Sequence, residues 1–202
     1  MFARLLRTPA TWVAVTVLAA GAAFGLYWFQ PWKLVTDTEV AESLSAVGTA
    51  APSPSGMAGT AAPSGPAPSG AATPGGSPSA ASTGPVLVRR GSFVTHEHAT
   101  SGDARIVRLP DGTHRLELVG LDTSNGPDLR VWLTDQPVRS GVAGWRVFDD
   151  GRWIELGRLK GNRGDQAYPI PPDVDLSTLT SVSVWCKRFS VSFGAAPLDA
   201  AG

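Results

Sequence analysis

Apolar positions along the chain follow two different rhythms. Near the N-terminus they run together: "TWVAVTVLAAGAAFGLYWF", Thr11 to Phe29, contains no charge. These about 19 residues make roughly 28 Å of helix at ~1.5 Å per residue, close to a hydrocarbon core of about 30 Å. The run predicts one transmembrane helix over 11–29. From Val86 onward the apolar residues instead alternate with polar ones in short stretches. "DLRVWLT" sets Leu129, Val131 and Leu133 on one face and Arg130, Trp132 and Thr134 on the other. "HRLELVG", "SVSVWC" and "FSVSF" read the same way. Turn signals separate them: "PDGT", "TSNGPD", "KGNRGD" and "IPPDVD". No segment sustains a 3.6-residue apolar repeat. The pattern predicts an all-β head over 86–198, an antiparallel β-sandwich of about eight strands.

The flanks of the apolar run set its orientation. Arg4 and Arg7 precede it, whereas Lys33 after it is offset by Asp37, Glu39 and Glu42. Trp12 stands at one end and Tyr27, Trp28 and Trp32 at the other, as an interfacial aromatic belt requires. The positive-inside rule then puts residues 1–10 in the cytoplasm and everything after Phe29 outside. Ala20-Gly21-Ala22 also fits a small-x-small cleavage site of a signal peptide. The apolar run continues well past it, so an uncleaved, single-pass anchor in the cell membrane is the expectation.

Residues 30–85 read as a linker. From about Ser43 its composition collapses to Ala, Pro, Ser, Gly and Thr. Such a segment has too few large apolar side chains to offset its chain entropy and is expected to stay disordered. As a flexible tether its about 40 residues would give roughly 35 Å of root-mean-square reach. Overall charge is balanced, with 17 basic and 17 acidic residues. No basic face suggests a nucleic-acid partner; the partners expected are the membrane and a redox protein at the cell surface.

Cys186 is the single cysteine. Parity places Val182, Val184 and Cys186 on one face of their strand and Ser183 and Trp185 on the other. The next apolar set, Phe189, Val191 and Phe193, has the opposite parity, so a turn or bulge must fall over 186–189. This reading puts Cys186 at an accessible strand end beside Lys187 and Arg188, two cations that would favour its thiolate. An unpaired thiol outside the cell stands out, against the plainer reading of a small core residue.

No metal site emerges. "HEH" sets His96 and His98 on one face of a strand, but a blue-copper site also wants a histidine soon after the cysteine and usually an axial Met, and the head has no Met. "DTSNGPD" reads as turn chemistry of Asx side chains, Gly126 and Pro127. The glycines of "GRLKGNRGDQAYPIP" lack the phosphate-loop pattern, and no GxSxG motif occurs.

Four blocks in order, "GSFVTHEHATSG", "SNGPDLRVWL", "LGRLKGNRGDQAYPIP" and "VSVWCKRFSVSFGAAPL", resemble the DM-thirteen domain, also called the electron-transfer DM-thirteen domain, across essentially the whole head. The resemblance implies a compact β-rich fold in an extracytoplasmic redox system. It further implies that the cysteine matching Cys186 acts as a naked thiol or as a ligand to a prosthetic group such as haem. The family's H-x-T-S-G block maps onto His98 to Gly102. The site residues expected are Cys186 as redox thiol, with Trp185 and His98 beside any cofactor, in an electron-transfer domain rather than a turnover enzyme. The alternative is a cell-surface binding or scaffold module in which Cys186 is buried filling and the 124–128 loop is the contact surface.

Overall fold

A computed structural model describes residues 9–47 and 84–201. Residues 1–8 of the expected cytoplasmic stretch and 48–83 of the expected linker lie outside them. Helix α1 spans Pro9–Phe29. It begins two residues ahead of the predicted span, at a proline, which the first turn of a helix tolerates because the N–H it lacks has no partner there. None of its residues is buried, and it is long and apolar enough to cross a membrane.

Beyond α1 the described chain is built from strands. They are β1 (Glu39–Ala41), β2 (Val86–Ser92), β3 (Val94–Thr95), β4 (Ser101–Arg108), β5 (His114–Asp122), β6 (Leu129–Thr134), β7 (Trp153–Arg158), β8 (Arg163–Ile170), β9 (Ser181–Cys186), β10 (Val191–Pro197) and β11 (Asp199–Ala200). One sheet runs β1-β8-β5-β4-β2-β11 and the other β3-β10-β9-β6-β7. Eight of these strands have six or more residues, in line with the sequence pattern. All pairings are antiparallel except β1 with β8.

The main core lies between the sheets. Ile106, Leu116, Leu118 and Tyr168 meet Val131, Leu133, Val184, Val191 and Phe193 there. A second, smaller core covers the far face of the five-stranded sheet. Trp132, Trp185 and Ala195 pack there under Phe148, Val138 and Val147 of the 135–152 connection. Every residue of β9 is therefore buried, which explains why its "polar" face carries small serines and a tryptophan.

One part of the predicted linker is instead part of the head. Residues 31–35 form a short 3-10 helix, and β1 then adds to the edge of the six-stranded sheet in register with Arg163, Gly164 and Asp165. Further on, Ser45 is buried on the outer face of that sheet. There the Ser45 N–H donates to Glu117 Oε1 at 2.8 Å, and Arg105 Nε donates to Glu117 Oε2 at 2.7 Å. Arg115 Nε donates to Glu117 Oε1 at 2.6 Å. The two arginines close the ring on Ser45 itself, Arg105 Nη2 reaching its carbonyl at 2.9 Å and Arg115 Nη2 its hydroxyl at 2.7 Å. Composition misplaces this segment because β1 is three residues long and its partners lie some 120 positions away.

Burial works to raise the Glu117 carboxyl, but the Ser45 and Arg105 hydrogen bonds outweigh it and hold the group below its ordinary 4.5. Its stabilising contribution is thus complete above pH 4.5 and is lost as pH falls through the lower folded value. Removing the carboxylate leaves two arginines facing each other, each about a quarter exposed or less. Glu117→Ala is expected to cost about 3 kcal/mol in denaturant unfolding at pH 7 and to abolish this component of the acid sensitivity.

Candidate functional site

Cys186 closes β9. Its carbonyl accepts a hydrogen bond from the Phe189 N–H at 3.2 Å, and the chain turns through Lys187–Ser190 into β10. Ser190 takes φ 47°, a left-handed conformation that lets the reversal close within four residues. The predicted turn is therefore present, and the predicted parity holds: Val182, Val184 and Cys186 face the main core and Trp185 the second one. Cys186 stands in register with Val191 on one side and Leu129 on the other.

The accessibility expected of this sulfur is not what the fold provides. Cys186 is 0% exposed. Burial pushes its thiol above the ordinary value, with the backbone N–H groups of Phe189, Arg188 and Asp128 acting against that rise and the Glu97 charge adding to it. The two cations that were to favour a thiolate are engaged elsewhere. Lys187 Nζ lies 3.4 Å from Glu155 Oε2. Arg188 Nη1 donates to the α1 carbonyls of Tyr27, at 3.4 Å, and Trp28, and its guanidinium sits 5.2 Å from the Trp28 ring centroid. A strand end gives exposure only when the following turn lies open; here the turn folds back beneath α1.

That contact creates a cleft of about 220 Å³ between the end of α1 and the head. Phe29, Pro31, His98, Gly126, Phe189 and Phe193 are among the residues lining it. His98 lies tilted against Phe193 with ring centroids 3.9 Å apart, and Phe29 stacks on Phe189 at 5.9 Å. Gly126 packs closely here: a Cβ would lie 3.0 Å from Phe193 Cζ and 3.1 Å from Leu129 Cδ2, so a side chain would require these two residues to shift by a few tenths of an ångström. His98 thus comes to the Cys186 side of the molecule. Trp185 does not. It points through the opposite face of β9, 5.0 Å from Trp132 and edge-on to Phe148, and does not line the cleft.

His96 and His98 also separate. Residues 96–98 are bent rather than extended, so His96 turns to Phe148 while His98 turns to Phe193. His96 is buried, with Nδ1 2.8 Å from Ser192 Oγ and Nε2 3.0 Å from the Arg139 carbonyl. A neutral ring protonated at Nε2 satisfies both, the nitrogen donating to the carbonyl and Nδ1 accepting from the serine. No three His, Cys, Asp or Glu side chains among the described residues gather to hold a metal. Haem does not fit either. The cleft under α1 is smaller than the ~300 Å³ at which pockets for drug-sized ligands begin, and Cys186 does not line it: the residue is buried in the main core with Leu129 and Val191.

Three features of this region are not visible in the pattern: the Phe189 and Phe193 wall acting as a lining, the α1 end as its cover, and the contact of Asn125 with Thr36. Asn125 accepts from the Gly126 N–H at 2.8 Å, the expected turn chemistry, but its Nδ2 also donates to the Thr36 carbonyl at 3.2 Å.

Burial lowers the His96 pKa below its ordinary 6.5. The unfolded chain therefore takes up a proton near 6.5 that the folded chain refuses, and stability falls as pH drops through that range. Thermal unfolding of the wild type between pH 7.5 and 5.5 is expected to show this loss, and His96→Gln, which keeps hydrogen-bonding capacity without titrating, to remove it.

Residues 92–198 match the family model described as Electron transfer DM13. No curated protein and no solved structure matches the chain. The matched segment takes in β3 to β10, the 187–190 turn with Cys186 ahead of it, and His98, and it covers just over half of the sequence. This chain belongs to the electron-transfer DM13 family.

Proposed function

We propose that the protein is a single-pass membrane protein whose extracytoplasmic head works in electron transfer, with Cys186 as the redox-active group and His98 on the wall beside it. One observation carries the reading. The turn that seals Cys186 is the turn that meets α1, through Arg188 and Phe189, so the sulfur and the membrane side of the head share four residues of chain. Orientation is supported by Arg4 and Arg7 ahead of the span against Asp37, Glu39 and Glu42 behind it.

Burial sets the chemistry of such a site. Burial raises the thiol pKa above its ordinary value and so disfavours the thiolate. The sulfur is shielded from small oxidants that would carry an exposed thiolate on to sulfenic acid. The Arg188, Phe189 and Asp128 N–H groups oppose the effect of burial and so favour negative charge on the sulfur. A redox partner at the cell surface would approach the His98 wall.

The second reading, a surface binding module with Cys186 as core filling, is favoured by its 0% exposure. Two measurements on the full-length protein separate the readings. Cys186→Ser is expected to abolish a thiol-dependent redox couple in a potentiometric titration while leaving the circular dichroism unchanged. A titration identical to wild type, together with maleimide labelling of the wild type only after denaturation, would instead select the binding module.

A further inference from the structure

The "KGNRGD" block, read from sequence only as a turn, makes contacts that the electron-transfer reading does not use. All six of its residues engage the segment that follows α1. Lys160 Nζ donates to Glu42 Oε1 at 2.6 Å. Gly161 and Gly164 are the positions where a Cβ would collide with the carbonyls of Thr38 and Val40, and Gly164 has φ +93°. Asn162 is buried; its Oδ1 accepts from the Thr38 N–H at 2.7 Å and its Nδ2 donates to Asp37 Oδ1 at 2.8 Å. The Arg163 N–H donates to the Thr38 carbonyl at 3.2 Å, and the Asp165 carbonyl accepts from the Glu42 N–H at 3.0 Å.

The segment then crosses the outer face of the six-stranded sheet. Ser45 seats on Glu117 of β5 and Arg105 of β4. Val47 lines a cavity of about 640 Å³ with Leu87 and Arg90 of β2. The chain re-enters the same sheet at Val86, the first residue of β2. Val47 and Val86, described residues on either side of 48–83, are thus both placed at one strand, β2. A connection with both ends fixed to the head adds nothing to the distance between the head and α1. That distance is set by residues 30–35, at most about 20 Å at ~3.5 Å per residue.

We infer that Lys160–Asp165 is a built-in docking site for residues 37–42, that it holds the head against the membrane in which α1 is embedded, and that the Ala/Pro/Ser/Gly-rich tract is no spacer. The lipid-facing surface is the one beside α1. Trp28 and Trp32 are exposed there, Lys33 lines the cleft between α1 and the head, and Arg188 packs on Trp28. Aromatic rings with cations are the side chains suited to a headgroup layer. This inference rests on the proposed membrane span of α1 and stands whether or not Cys186 is redox-active.

Cleavage of the full-length protein in isolated membranes tests it. A recognition site for a sequence-specific protease is inserted at Pro66 in one version and at Val35 in another; the membranes are opened to the enzyme, cut, washed and sedimented. The expected result is that cutting at Pro66 leaves the head in the pellet, held by its docked strand, whereas cutting at Val35 releases it. Adding Glu42→Pro and Ser45→Pro to the Pro66 version removes two of the segment's N–H donors without touching the head's own core, and is expected to convert retention into release. Release after the Pro66 cut alone overturns the inference and restores the tether. Retention after both cuts, or retention despite the two prolines, overturns the role given to residues 37–42.

Discussion

Burial of the central strand β9 on both faces is the constraint on which this head depends. In most sandwiches a strand offers one face to the core and one to water, and alternation sorts the residues. Here the 135–152 connection lays Phe148, Val138 and Val147 over the outer face, so every residue of β9 is buried on one side or the other. A one-residue slip would exchange Cys186 for Trp185. The tryptophan cannot enter the space that Leu129 and Val191 leave for a sulfur, so the register has a steric lock as well as a hydrogen-bonded one.

The same constraint separates what the sequence could disclose from what it could not. Alternation in "SVSVWC" named the inward set, and the parity change at Phe189 located the turn, because both are local consequences of the two-residue strand period. Exposure was not legible. It depends on where the turn lies, and the groups that hold it, the Tyr27 and Trp28 carbonyls, are some 160 positions away. The fates of Lys187 and Arg188 were hidden for the same reason: a charge beside a thiol in sequence says nothing about its ion-pair partner. "HEH" misled because the strand period was applied to residues that bend. Composition succeeded for the run from Thr11 to Phe29, where one property extends over a whole helix, and failed at β1, where three residues join a sheet through a neighbour's backbone.

The polar interactions follow a common logic. Glu117, Asn162 and His96 are each buried, and each is matched to partners drawn from distant segments. Glu117 and Asn162 fix the chain that follows the helix; His96, through Ser192 and the Arg139 carbonyl, ties the 135–152 connection to β10. Apolar packing forms the layers, and these few satisfied polar groups decide which segment lies on which layer. A buried polar group with a wrong neighbour would lose a hydrogen bond worth about 1 kcal/mol and incur a desolvation cost of ~1–3 kcal/mol as well.

The parallel pairing of β1 with β8 also closes a sheet margin. Without it, β8 would present a row of unpaired backbone N–H and C=O groups along Arg163 to Asp165, an open template for a strand from another molecule. A head fragment beginning at Val86 would carry that bare margin and an uncovered Glu117 together. Self-association of such a fragment would reflect the missing edge strand rather than any native oligomer.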